Sequence, residues 1–519
     1  MKKKKGYLSG AGALAAAVVF AKVLGAAYRI PLANMLGAEG MGLYQFVYPV
    51  FALLLTLASG SVPTAVSISV SEMVAKGDEE GAKRFFSTAL KLSVLIGLAG
   101  SVILALVAYP VSLLQSKDAF FGYLAVAPAV LIVTLVSAFR GWFTGHNNLT
   151  PSSVSQLTEG VVKMSAGLAL THALLPYGLP FAVLGALTGV TASELFTLLI
   201  MAVICGAKHG KFPRVKLKEE RQQLKRLGKV MLPLILCGMI LPLSQFIDSV
   251  LIVNLLGWGG FSGATAAYGL WTGVVAPLIN LPVMVCISLG IAVTPQMVES
   301  REKGDVEMIL KKSDTSVKLT FFLGVPFVIL YLIAPESVLD LLYSGIGQER
   351  LTQAATLLRI NAVSVLGLSV FQIYSAMLQG LNRVKAPVKI MIFAMTIKLL
   401  LTVILAPTVG IVGAAAGAAV GNTLAGAIIF VYFVNFTRLE KTMVKNVSLI
   451  TLCGVIMGLL IFISSGWMDS LLSVALVGIA GGLVYLAAIL VMGVFSQEEW
   501  QAMPLSGFFV RLDKKINGG

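Results

Sequence analysis

The chain is 519 residues long, 57% hydrophobic and only 12% charged, with a formal net charge of +15. A soluble globular domain carries about a quarter charged residues, so this composition excludes a soluble fold of this length. Nucleic-acid binding, the usual reading of a basic chain, is excluded too, because the cations sit in short loops between apolar runs.

The N-terminus reads Met1-Lys2-Lys3-Lys4-Lys5 and then turns apolar. The run continues past the length of a signal-peptide core and offers no clear cleavage site, so a retained first helix is expected. A spanning helix needs roughly 20 apolar residues. Runs of that length fall at 8–36, 42–70, 86–114, 119–143, 152–175, 177–207, 229–256, 264–294, 316–343, 353–381, 385–408, 409–435, 446–466 and 470–495. The expected fold is an all-α polytopic membrane protein of about fourteen transmembrane helices.

Lys and Arg gather in alternate loops, as they do on the cytoplasmic side of membrane proteins. One set holds Lys76, Lys83 and Arg84; Lys208 to Lys229; Arg383, Lys385 and Lys389; and Arg438, Lys441 and Lys445. The other set holds only Lys117 and Arg350. The basic start and the tail with Arg511, Lys514 and Lys515 fall on the cytoplasmic side. The expectation is a multi-pass cell-membrane protein with both termini in the cytoplasm. Its outer loops are too short to house substrate chemistry, so an enzyme is not expected.

Three short matches recur along the chain. Asn34-Met35-Leu36-Gly37 returns as Asn254-Leu255-Leu256-Gly257; Lys76-Gly77-Asp78 as Lys303-Gly304-Asp305; and Gly145-His146-Asn147 before Pro151 as Gly380-Leu381-Asn382 before Pro387. Each pair links helix n to helix n+6. Two six-helix lobes in a parallel repeat follow, at 1–207 and 229–436, joined by a basic linker at 208–228. Two further helices occupy 437–496 and a cytoplasmic tail 497–519. Parallel repeats mark transporters, whose substrate site lies between the repeats.

Charges inside a membrane are costly and usually functional. The cations within apolar runs are Lys22, Arg29, Arg140, Lys163, Arg359 and Lys398; the acids are Glu159, Glu194 and Asp248. The excess is positive and would attract an anion. Arginine suits phosphate in particular, because its planar fork grips two oxygens. Plainer readings stand beside this one. Arg29 and Arg359 could anchor outer helix ends, and Arg140 could be an orientation charge. Glu159 and Lys163, one turn apart, could pair with each other. Asp248 could pair with Lys398 or bind a coupling cation. Cys205, Cys237, Cys286 and Cys453 form no CxxC pair, and the three histidines are scattered, so no metal site or cofactor is expected.

The stretch from Lys22-Val-Leu-Gly25 through Tyr28-Arg29-Ile-Pro31, then Leu36-Gly37 to Gln45, Tyr48-Pro49 and Val62-Pro63, resembles the start of the oligosaccharide flippases, the stage V sporulation protein B-like group. Arg140-Gly141 to Gly145, Pro151, Ser155-Gln156 and Glu159 resemble that family's next signature. The resemblance implies the multidrug/oligosaccharidyl-lipid/polysaccharide exporter fold and an undecaprenyl-pyrophosphate-linked saccharide as substrate, with the lipid II flippases as functional relatives. Lys22 takes the place of the first of two cavity arginines on their first helix. The second falls opposite Tyr28, with Arg29 one residue on. Lys398 stands in the helix where those flippases hold sodium ligands. The expected substrate-binding residues are therefore Lys22, Arg29, Arg140, Glu159, Lys163 and Arg359, with Asp248 and Lys398 as a coupling or structural pair. The expected partners are the lipid-linked saccharide, the bilayer and cell-wall synthesis proteins. A cation-coupled drug exporter and a flippase for another surface polysaccharide are the alternatives.

Overall fold

The computed structural model describes the backbone of residues 2–209, 238–437, 442–467 and 470–501, with a few positions between 223 and 235. Side chains are described from residue 24 on, Ala26 and those at a few helix ends excepted. The basic linker, apart from those positions, and the tail beyond residue 501 lie outside the described residues.

Every described regular element is helical. In chain order they are α1 (Lys2–Ala58), α2 (Val62–Ala75), α3 (Glu79–Leu114), α4 (Phe120–Gly145), α5 (Thr150–Leu174), α6 (Leu179–His209), α7 (Ile240–Trp258) and α8 (Ala264–Gly269). A π-helical stretch, Leu270–Val275, then leads into α9 (Ala276–Lys303). After it come α10 (Val306–Ile333), α11 (Pro335–Tyr343), α12 (Gln348–Asn361), α13 (Ser364–Gly380), α14 (Lys385–Val409), α15 (Ile411–Thr437), α16 (Thr442–Ile463), α17 (Leu471–Val491) and the short α18 (Gln497–Gln501).

Among the described residues eleven helices are long and apolar enough to cross a membrane, or twelve if α12 and α13, bent by 47°, form one span. Two of the fourteen expected runs, the first and the fifth, are not among these. Most side chains of the first run lie outside the described residues; it joins the second run at a kink at Gly37 (φ 64°) inside α1. The fifth run, α5, carries Glu159, Lys163 and a series of Ser and Thr that lower its hydropathy. The protein is a multi-pass membrane protein. On α3, Leu95, Leu98, Val102 and Leu106 are exposed along one stripe. Lipid can cover such a stripe at no cost; water cannot.

The helix boundaries follow from local chemistry. Asp78 caps α3 by accepting from Gly81 N at 2.7 Å, and Asp305 caps α10 by accepting from Met308 N at 2.9 Å. The residue before each aspartate, Gly77 or Gly304, is left-handed (φ 77° and 66°). Among the described non-glycine residues, the left-handed ones are Asn147 (φ 56°) and Asn382 (φ 61°). Both belong to the repeated segments, so the matches seen in the sequence share backbone geometry. Asparagine is among the few residue types that take this conformation readily.

The chain divides into two compact units, Met1–Gly273 and Val274–Gly519. In the first, α5 lies along α6 at very close range: a Cβ on Gly189 would collide with the Gly167 Cα. The helices α1 and α4 complete that packing. Gly42 and Gly269 let α1 and α8 touch backbone to backbone. A buried chain of polar groups ties α7 to the unit: Gln115 Nε2 donates to Ser249 Oγ at 2.7 Å, and Tyr123 reaches both Gln115 Oε1 (2.5 Å) and the Phe46 carbonyl (3.0 Å). In the second unit, Gly367 and Gly426 bring α13 and α15 together, and Tyr374 packs on Phe433 with ring centres 4.5 Å apart.

Candidate functional site

Charged side chains from four helices of the first unit converge on one place. On α4, Arg140 extends its guanidinium toward α5: Nε donates to Ser155 Oγ at 3.0 Å and Nη2 to Glu159 Oε2 at 2.9 Å. Ser155 in turn donates to the Ser152 carbonyl at 2.8 Å, so its lone pairs face the arginine. One turn beyond Glu159, Lys163 places its Nζ 5.9 Å from the centre of the Tyr48 ring. Arg29 of α1 reaches the same ring at 6.0 Å. Tyr44 stacks beside Tyr48 at 6.2 Å. On α6, Glu194 is 7% exposed, and its neighbours are Glu159, Arg140 and Lys163.

Tyr28 explains how α1 presents Arg29. Its ring is buried, its hydroxyl points at the Ala186 carbonyl (3.5 Å), and Gly167 leaves room for it: a Cβ there would lie 2.6 Å from the hydroxyl. Tyr28 is therefore the packing residue. The next position, rotated by about 100°, carries its charge to the Tyr48 face.

Of the residues singled out in the sequence, the structure brings together Arg29, Arg140, Glu159 and Lys163. Lys22 lies on α1, and its side chain is outside the described residues. Glu159 pairs across helices with Arg140, while Lys163 turns to a tyrosine. Arg359 is elsewhere, in the second unit: it forms an exposed ion pair with Glu336 at 3.0 Å and donates to the Leu332 carbonyl. Asp248 is buried on α7 beside Tyr268 in the first unit, and Lys398 stands on α14 in the second, against Gly417 and Gly421. Sequence reasoning did not pick out Tyr44, Tyr48, Ser155 or Glu194 as site residues. The four-residue spacing of the two tyrosines, which puts them on one helix face, is the signal that could have found that pair.

The arrangement suits an anion. Three cations stand at one face with two acids among them, and two of the cations lie against a tyrosine ring, the geometry of a cation–π contact. Arg140 is held by Ser155 whether or not Glu159 stays. Its outer nitrogens can exchange that carboxylate for a phosphate oxygen, because both accept a charge-assisted hydrogen bond. Its side chain is 22% exposed, so the exchange does not require unpacking.

Known proteins resemble this chain over nearly its whole length. Over 525 aligned residues the chain is 27% identical to stage V sporulation protein B of Bacillus subtilis (strain 168), covering 97% of this chain and 99% of that one. It is 26% identical to the lipid II flippase MurJ of the same organism, covering 97% and 98%. The solved structure of lipid II flippase MurJ in an inward closed conformation superposes with a TM-score of 0.70 at 16% identity, covering 92% of this chain and 98% of that one, which shows the fold. A MatE family model matches residues 233–404. The polysaccharide biosynthesis protein model matches residues 7–301, more than half of the chain and the whole of the charged cluster. By that match the chain belongs to the polysaccharide biosynthesis protein family.

Proposed function

We propose that this protein is a flippase that moves an undecaprenyl-pyrophosphate-linked saccharide, the peptidoglycan precursor lipid II, from the inner to the outer leaflet by alternating access of two six-helix lobes. Both termini are then cytoplasmic. The observation that carries this reading is the cluster of Arg29, Arg140 and Lys163 around Tyr48 and Glu159. A pyrophosphate is a compact multiple anion, and a membrane-embedded cluster of cations is a counter-charge that would otherwise be expensive to keep there. The aromatic faces of Tyr44 and Tyr48 offer a stacking surface for a sugar or lipid portion next to it. The relatives named above as a flippase and as a sporulation protein support a cell-envelope substrate.

Depletion of the protein in its host tests this. The outer-leaflet fraction of lipid II would be read with an externally added lipid-II-cleaving toxin. Accessible lipid II is expected to fall, and to return with the wild-type chain but not with an Arg140→Ala/Lys163→Ala variant. Unchanged accessibility in a strain with no other lipid II flippase would refute lipid II as substrate.

A second reading is a cation-coupled multidrug exporter, favoured by the MatE match over residues 233–404 and by the buried acids Glu194 and Asp248. Drug-resistance profiling of cells expressing the chain separates the two. Raised resistance to cationic drugs that disappears with Glu194→Gln would favour the exporter.

A further inference from the structure

The basic turn between α13 and α14 takes no part in the charged cluster of the first unit, yet it encloses space of its own. A cavity of about 570 Å³ lies there, lined by Asn382, Arg383, Val384, Lys385 and Lys389 and, from α15, by Tyr432. Arg383 also stands over the Phe436 ring, with its guanidinium carbon 5.2 Å from the ring centre. Tyr432 and Phe436 are four residues apart on α15 and so share a face. Both are exposed, as is Val384. Among the described residues none of the three cations pairs with a carboxylate.

The corresponding turn in the first unit shows that the backbone does not require this charge. Asn147 and Asn382 are both left-handed. In each turn the next N–H donates to a carbonyl five residues back: Asn148 N to Phe143 O at 2.9 Å, and Arg383 N to Leu378 O at 2.7 Å. Where the second unit carries Arg383, Lys385 and Lys389, the first carries Asn148, Thr150 and Val154. Membrane orientation does not require the arrangement either. The bias toward basic cytoplasmic loops counts charges along a loop and is indifferent to whether they line one cavity. Three cations around a single cavity suit an anion with several oxygens: the arginine fork can grip two, and the lysines act as point charges. The exposed Val384, Tyr432 and Phe436 add apolar and aromatic surface beside the charge, which a small soluble anion would leave unused. Aromatic side chains of this kind sit at the headgroup level of a bilayer, and basic pockets between spanning helices on the cytoplasmic side bind anionic headgroups.

We propose that the turn between α13 and α14 is a binding site for an anionic phospholipid of the inner leaflet, with Arg383, Lys385 and Lys389 taking the phosphate and Tyr432 and Phe436 lying against the glycerol and upper acyl chains. The choice of leaflet rests on the cytoplasmic orientation proposed above. The binding chemistry is independent of the substrate carried. Native mass spectrometry of the full chain in neutral detergent tests it, with dioleoyl phosphatidylglycerol as the probe and dioleoyl phosphatidylcholine as the zwitterionic control. Each Lys or Arg near an anionic lipid is worth about fivefold in binding. Arg383→Gln/Lys385→Gln/Lys389→Gln should therefore weaken retention of the first phosphatidylglycerol roughly a hundredfold. These three side chains are exposed, so the variant keeps the packing of α13 and α14. Lys76→Gln/Lys83→Gln/Lys445→Gln, which removes the same charge from other basic loops, should weaken retention far less. Retention by the cavity variant equal to that of wild type would overturn the site. So would an equal loss in the loop variant, or phosphatidylcholine held as well as phosphatidylglycerol by wild type. Displacement of phosphatidylglycerol by inorganic phosphate would overturn the lipid as occupant, because a soluble anion would then suffice.

Discussion

Arg140 is the residue on which the site turns. Its guanidinium is fixed by Ser155 on one edge and open to exchange on the other. A charge-assisted hydrogen bond contributes about 1.5–3 kcal/mol, so Arg140→Ala should weaken pyrophosphate binding roughly ten- to hundredfold. Arg140→Lys keeps the charge but loses the planar fork and should recover only part of that, as titration calorimetry would read. Tyr48→Leu should weaken binding less than Arg140→Ala, because it removes a ring and leaves every cation in place. The charged members of the site were legible as charges inside apolar runs. Their partners were not. The one-turn spacing of Glu159 and Lys163 suggested a pair within α5, but a guanidinium on the neighbouring α4 offers Glu159 a better directed bond. Glu194 stayed unassigned for the same reason: its neighbours come from α4 and α5, and helical periodicity says nothing about which faces of separate helices meet.

At the scale of the element, the site depends on how closely α5 and α6 lie. Gly167 and Gly189 leave no space for a side chain between them, and Gly167 also admits the Tyr28 hydroxyl. Gly189→Val should separate the two helices and cost about 1–3 kcal/mol, as overpacking does. A fall in melting temperature accompanied by loss of pyrophosphate binding would show that the site is assembled by this contact. Asp305→Ala should also lower the melting temperature, by removing an N-cap worth about 0.5–2 kcal/mol, but it should leave binding intact. The helix ends were well legible. Asp78, Asp305, Asn147 and Asn382 fall in repeated segments because a cap or a left-handed turn needs those residue types. The break inside α1 was legible at Gly37, yet the π-helical stretch at Leu270–Val275 was not, since nothing in its composition departs from an ordinary spanning helix.

Over the whole molecule, composition alone was enough to identify a membrane protein, but not how many spans the described residues support. The polar α5 shows why: a helix covered on several sides by others can carry polar residues that a lipid-facing helix cannot. Near its C-terminal end the described chain is tied down by a small ionic clasp. Glu499 of α18 accepts from Thr315 at 2.8 Å and pairs with Lys318 at 3.1 Å, while Lys318 also meets Asp314 at 2.8 Å. Trp500 is buried beside Phe495, with ring centres 5.0 Å apart. Burial pushes the Glu499 carboxyl up, but the Ser496 backbone N–H, the Thr315 hydroxyl and Lys318 outweigh it and hold it below the usual carboxylate range. A lowered carboxyl stabilises the fold above its unfolded value and loses that contribution as pH falls through the folded one. The stability advantage of wild type over Glu499→Gln should therefore be complete above about pH 4.5 and shrink at lower pH, as melting curves across that range would register.

Flipping of lipid II in proteoliposomes by the purified full-length chain, compared with an Arg140→Ala/Lys163→Ala variant reconstituted to the same density, tests the flippase and its cationic site together. The wild type is expected to equilibrate lipid II between leaflets, and the double variant is not. Equal flipping by both, or no flipping of any undecaprenyl-pyrophosphate-linked saccharide by the wild type, would contradict it.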